Sequence, residues 1–175
     1  MEDPKTGRLN ENLYVNIPSD KYQAAMTLNQ VRKGDFDLNF PLYKDVKYMH
    51  CDLFKAYLNR TWEPTLTVIG QDGLPHLSNA GNVLRPYTSL CLSLRIPPIL
   101  DAQNAKEFLR RFFEDQTWLN NSKISIESMV GMSGYNAKPL NPKLSTVLNQ
   151  HCLNIFGEEP LQMGEGGSIP LINTL

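Results

Sequence analysis

The sequence predicts an α+β fold with a small antiparallel sheet, and three observations carry that expectation. A β-branched run, Leu66-Thr67-Val68-Ile69, opens after Pro64 and stops at Gly70 and the turn-like Asp72-Gly73. The segment Thr88–Ile96 alternates Leu90, Leu92 and Leu94 with Ser89, Cys91, Ser93 and Arg95, the period of two of a strand with one buried face. Ala105, Phe108, Leu109, Phe112 and Phe113 then recur at helical spacing, and Lys123–Val130 reads as a further strand with Ile124 and Ile126 on one side. The order strand, strand, helix, strand is the back of a split β-α-β-β-α-β unit whose first strand and helix are not visible in the chain.

The opening to Pro18 is polar, punctuated by Pro4 and Gly7, and reads as a connector rather than core. Ser19 can cap a helix that runs to Arg32 and stops at Gly34, with Tyr22, Ala25, Met26 and Asn29 on one stripe. Asp35–Lys47 shows no clean period and is expected to be irregular, whereas Cys51–Asn59 places Leu53, Phe54, Tyr57 and Leu58 mostly on one side of a short helix. After the first strand comes a polar loop with Ser78, Asn79 and Gly81. Pro97-Pro98 closes the second strand, and Asp101 can cap a helix to Glu114. Gly131–Pro142 is rich in breakers, with a domain boundary near Gly134. A last helix over Pro142–Phe156 is ended by Gly157, and Pro160–Met163 can form a short strand. The chain thus divides into a helical lead-in at 1–63, the strand, strand, helix, strand unit at 64–133, and a further region at 134–175.

With 175 residues, 41% hydrophobic and 20% charged, the chain can bury one ordinary core or two small ones. Its formal net charge of -1 offers no basic field to a nucleic acid or an anionic membrane, so neither is an expected partner. Cys51, Cys91 and Cys152 have no CxxC spacing and suit a reducing compartment. With neither a secretory leader nor an apolar run of membrane-spanning length, the expected location is cytoplasmic.

No HExxH pattern is present, the HxD spacing occurs once, at His50-Cys51-Asp52, and His50, His76 and His151 are read as surface or packing residues, so no metal ligand and no catalytic residue are assigned. His151-Cys152 are adjacent on a helix and point about 100° apart, which separates them as a nucleophile pair. In Gly164-Glu165-Gly166-Gly167-Ser168-Ile169-Pro170, Gly166 and Gly167 let backbone N–H groups approach an anion and Ser168 adds a hydroxyl; a plain tight turn is the other reading. Arg95 leaves its strand on the face opposite the leucines, where its guanidinium could hold a carboxylate or simply be solvated. Asn82 could donate its amide to a carbonyl oxygen in a site or form an Asx-turn.

Together, Leu74-Pro75, Gly81-Asn82-Val83-Leu84-Arg85-Pro86, Ser93-Leu94-Arg95-Ile96-Pro97-Pro98 and the Gly164–Pro170 segment form a pattern that resembles the dinuclear-zinc exopeptidases. That family includes carnosinase-like cytosolic dipeptidases, aminoacylase and succinyl-diaminopimelate desuccinylase. The resemblance runs from Asp3-Pro4-Lys5-Thr6-Gly7 to the end. It implies an incomplete ferredoxin-like lid, or dimerisation, domain up to about Ser133, followed by the start of the C-terminal half of the catalytic domain. It also implies two zinc ions and a catalytic carboxylate pair carried by residues outside this chain, so that these 175 residues alone would be inactive. The substrate would be a dipeptide or related amide with a free C-terminal carboxylate, and the lid would form a homodimer. Residue by residue, Arg95 matches the lid arginine that pairs with the substrate carboxylate. Gly166, Gly167 and Ser168 match the turn that binds the same carboxylate, and Asn82 matches the position beside the scissile carbonyl, where carnosinase has Thr. Arg is common in the family where Gly164 stands. A non-catalytic dimerisation module derived from the lid is the alternative.

Overall fold

A computed structural model describes residues 1–31, 40–48, 52–115, 122–166 and 172. Among these the elements run α1 (Ser19–Val31), α2 (Leu53–Thr61), β1 (Thr65–Asp72), β2 (Ser89–Arg95), α3 (Ala102–Glu114) and α4 (Pro142–Phe156), a mixed helix and antiparallel-sheet fold.

The sheet is one antiparallel ladder in which Leu66 faces Leu94 and Val68 faces Leu92. The register shifts between Val68 and Gly70, so the strand continues through Gly70 as a bulge instead of stopping there. It ends at Gly73, whose φ of 87° suits glycine; a Cβ there would come within 2.5 Å of the Tyr87 carbonyl oxygen. Of the three leucines expected to be buried on β2, Leu94 packs against the core, whereas Leu90 and Leu92 are 53% and 38% exposed. The core stands at the Leu66–Leu94 end of the ladder, so burial falls away toward Leu90.

That core corrects the reading of the opening segment as a connector. Leu9 and the fully buried Leu13 form a cluster with Ala105 of α3, and Leu66, Leu94, Ile96 and Phe108 pack around it. Local polar chemistry folds the segment into position. The Asp3 Oδ1 accepts the N–H groups of Lys5 at 2.7 Å and Thr6 at 2.9 Å, Gly7 takes a left-handed φ of 68°, and Glu2 and Leu9 form an antiparallel bridge. Asn10 then caps a short 3-10 helix, Glu11–Leu13, which turns Leu13 inward beside Leu9. The polar residues that make the segment look like a linker are its turn and cap.

A second, smaller cluster joins α1 to α2 through Leu28 and Tyr57, with the rings of Tyr22 and Phe54 edge to face at 4.8 Å. The proposed stop at Gly34 lies outside the described residues, as does Cys51. Asp52 caps α2 by accepting the Phe54 N–H at 3.0 Å, which sets the helix two residues later than expected and places Arg60 in its last turn. Of the expected irregular stretch, residues 40–48 carry only a turn at Lys44-Asp45.

Asp101 caps α3 as expected, accepting the Asn104 N–H at 3.0 Å, while Ser133 Oγ accepts the neighbouring Ala102 N–H at 2.9 Å. Lys123–Val130, expected as a strand, is not one, and neither is Pro160–Met163. A strand requires a ladder partner, and the sheet among the described residues holds β1 and β2 alone. The chain after Val130 instead runs close to other backbone: a Cβ at Gly134 would lie 2.7 Å from Pro98 Cα. Asn141 and the left-handed Gly157 (φ 75°) cap α4, none of whose residues is buried.

Leu13→Ala should lower unfolding free energy by about 2–5 kcal/mol, the cost of emptying a fully buried leucine site, read by denaturant melts. A loss under about 1 kcal/mol would mean the opening segment is not part of the core. The Asp3 carboxyl is held below its ordinary 3.8 by the N–H groups of Thr6 and Lys5. A lowered folded value makes its support of the turn complete above the unfolded value and lost as the pH falls through the folded one. The Thr6 amide shift should therefore stay constant from neutrality to about pH 4 and move below it, and Asp3→Ala should abolish the transition.

Candidate functional site

An open cleft of about 340 Å³ lies between α1, the last turn of α2, the end of β2 and the segments 132–137 and 162–166. That volume is at the lower end of the roughly 300–1,000 Å³ of small-ligand sites. Lys21, Arg60 and Arg95 bring cationic groups to it, and Glu63 and Glu165 bring carboxylates. Lys21 crosses to the far wall, where its Nζ donates to the Ala137 carbonyl at 3.2 Å.

Arg95 reaches the cleft because the residues on either side of it, Leu94 and Ile96, pack in the core, and the strand's alternation sends the side chain between them to the other face. Its Nη1 donates to the Gly166 carbonyl at 2.7 Å. Glu165 pairs with Arg60 through a charge-assisted hydrogen bond from Nη2 to Oε1, and the same oxygen accepts the Gly166 N–H at 3.1 Å. The glycines permit this approach. A Cβ at Gly166 would lie 2.3 Å from the Arg60 carbonyl oxygen, and one at Gly164 would lie 3.2 Å from Thr61 Cγ2. The guanidinium of Arg60 also stands 5.1 Å above the Phe40 ring.

Two of the five residues singled out from the sequence, Arg95 and Gly166, are therefore in direct contact. Gly167 and Ser168 lie outside the described residues. Asn82 sits at a tight turn, with the Val83 N–H bonded to the Gly81 carbonyl at 3.0 Å, in an exposed loop that does not line the cleft. Sequence reasoning missed Arg60. A basic residue at a helix C-terminus is common, and its partner lies 105 positions away, so no local pattern marks it.

Among the described residues, no group of three or more His, Cys, Asp or Glu side chains is arranged to hold a metal ion. His76 Nδ1 is engaged with Ser78 Oγ at 2.9 Å, His151 is exposed on α4, and His50 lies outside the described residues. The donors among the described residues do not fit the zinc pair implied by the resemblance. No helix among the described residues is long and apolar enough to cross a membrane.

The fold is similar to part of three solved peptidase structures. Human carnosine dipeptidase 1 superposes with a TM-score of 0.69 at 15% identity, covering 98% of this chain and 36% of that one. The di-peptidase Dug1p from Saccharomyces cerevisiae gives 0.60 at 16% identity over 92% of this chain and 33% of its own. An M20 family metallo-carboxypeptidase from Sulfolobus solfataricus gives 0.64 at 14% identity, with coverages of 97% and 38%. The chain thus spans about a third of the length of each structure it matches. No family model matches the sequence, and no curated protein matches it.

Gly166→Ala should lower the melting temperature and release the Arg60–Glu165 pair, because the added methyl meets backbone. Gly81→Ala, with nothing within 4 Å, serves as the control and should melt like the unsubstituted chain. Equal melting of the two variants would show that the turn does not need the close approach.

Proposed function

We propose that these residues are the lid and the start of the second catalytic half of a dipeptidase-like metallohydrolase that cleaves dipeptides or related amides with a free C-terminal carboxylate. The observation that carries this reading is Arg95, whose guanidinium lines the cleft and is bonded to the glycine turn at Gly166. A free carboxylate is recognised by a forked cation together with backbone N–H donors, and the segment beginning at Gly166 continues with Gly167 and Ser168, which can provide such donors. The Gly166 carbonyl takes one of the five N–H donors of Arg95, and the others suit a bidentate carboxylate.

In this reading the segment binds and orients substrate and does not perform the bond-breaking step. Two zinc ions, implied by the family resemblance, would polarise the scissile amide and activate water, held by residues elsewhere in the whole protein. Asn82 would approach the scissile carbonyl from its exposed loop. The lid would mediate a homodimer, and the protein would be cytoplasmic. A second reading, a non-catalytic dimerisation module, is favoured by the exposed Val68, Ile69 and Leu90 on the sheet.

The test uses the full-length protein that contains these residues. Arg95→Ala should reduce kcat/KM for free-acid dipeptides by about ten- to more than a hundredfold with little change in melting temperature, and C-terminally amidated dipeptides should be much less affected. An equal loss on both substrate forms, or unfolding, would make Arg95 structural. Activity absent from an intact, metal-loaded full-length protein would leave the dimerisation module as the function.

A further inference from the structure

We infer that Arg60 is a positioning residue for the carboxylate-binding turn and acts through Glu165; the inference rests on the reading of Arg95 given above. Both peptide groups of Gly166 are held. Its N–H donates to Glu165 Oε1 at 3.1 Å, and its carbonyl accepts from Arg95 Nη1 at 2.7 Å. The first bond depends on a carboxylate whose side chain is 62% exposed and would rotate freely in water without a second anchor. Arg60 supplies that anchor to the same oxygen.

The last turn of α2 also acts as a template for the chain above it. The Arg60 carbonyl lies beneath Gly166 and Thr61 lies beneath Gly164, so alternate residues of the turn rest on consecutive residues of the helix. Backbone contact sets how closely the turn can approach, and the Arg60–Glu165 pair sets its orientation. Arg95 is affected in turn, because its bond to the Gly166 carbonyl fixes the plane in which its remaining donors lie. An exposed ion pair contributes little to global stability, so the effect of this one should appear in the turn and in carboxylate binding.

The experiment follows the Gly164 and Gly166 amides of the chain by NMR hydrogen exchange and titrates N-acetyl-alanine against N-acetyl-alaninamide. Arg60→Gln and Glu165→Gln should each speed Gly166 exchange roughly two- to fivefold, the range an exposed ion pair allows, and weaken N-acetyl-alanine binding by a similar factor. Binding of the amide should not change. Arg60→Lys should keep most of the Gly166 protection and most of the N-acetyl-alanine binding of the unsubstituted chain, and melting temperatures measured alongside separate a local loss from unfolding. Gly166 exchange at the unsubstituted rate in both Gln variants would overturn the inference. Equal binding of the two probes by the unsubstituted chain would overturn the carboxylate role of Arg95, and with it any role of Arg60 in binding, while Gly166 exchange would still report whether Arg60 orders the turn.

Discussion

The packing of Leu94 and Ile96 into the Leu9–Leu13–Ala105 cluster is the contact on which the cleft depends. Burying these two residues fixes the face of β2 that turns inward, and the pleat then leaves Arg95 one outcome, the opposite face. The cross-strand pair Leu66–Leu94 locks the same choice from β1, since a one-residue slip would place Arg95 in the core and Leu94 in solvent. A cluster made largely by the first fourteen residues thereby controls a guanidinium that contacts Gly166, near the far end of the chain.

The parts of the fold that were legible in the sequence are those whose signals are local. Asp101 before an apolar helical stripe and Gly157 after one each predict a helix end, and both ends are there, because a cap needs partners only a few residues away. The β1–β2 pair was legible for the same reason, as a β-branched run and an alternating one. Lys123–Val130 shows the limit. Its alternating isoleucines satisfy the pattern of a strand, but a pattern describes one side of a ladder and says nothing about the other. Leu9 and Leu13 show the reverse error, since a polar composition concealed two residues that carry the core.

The site divides in the same way. Arg95 could be singled out because its strand parity is written in its neighbours, and Gly166 because clustered glycines mark close backbone approach. Arg60 could not, because its role exists only once α2 and residues 164–166 are side by side. The structural likeness extends the same contrast. At 15% identity the backbone plan of a third of human carnosine dipeptidase 1 persists over 98% of this chain. A plan fixed by apolar parity and caps tolerates extensive change at other positions, whereas a site fixed by pairs distant in sequence depends on single residues.

The edge of β2 away from β1 has no ladder partner among the described residues, and its only charge, Arg95, is at one end. The usual protections of a free edge, such as lysines or a proline within the strand, are missing. Prolines stand outside it instead, Pro86 before and Pro97-Pro98 after. Proline has no N–H to offer a ladder, so any chain that anneals to this edge meets a stop at each end. The sequence flanking β2 therefore limits how far an added strand can zip along it, whatever the length of the partner.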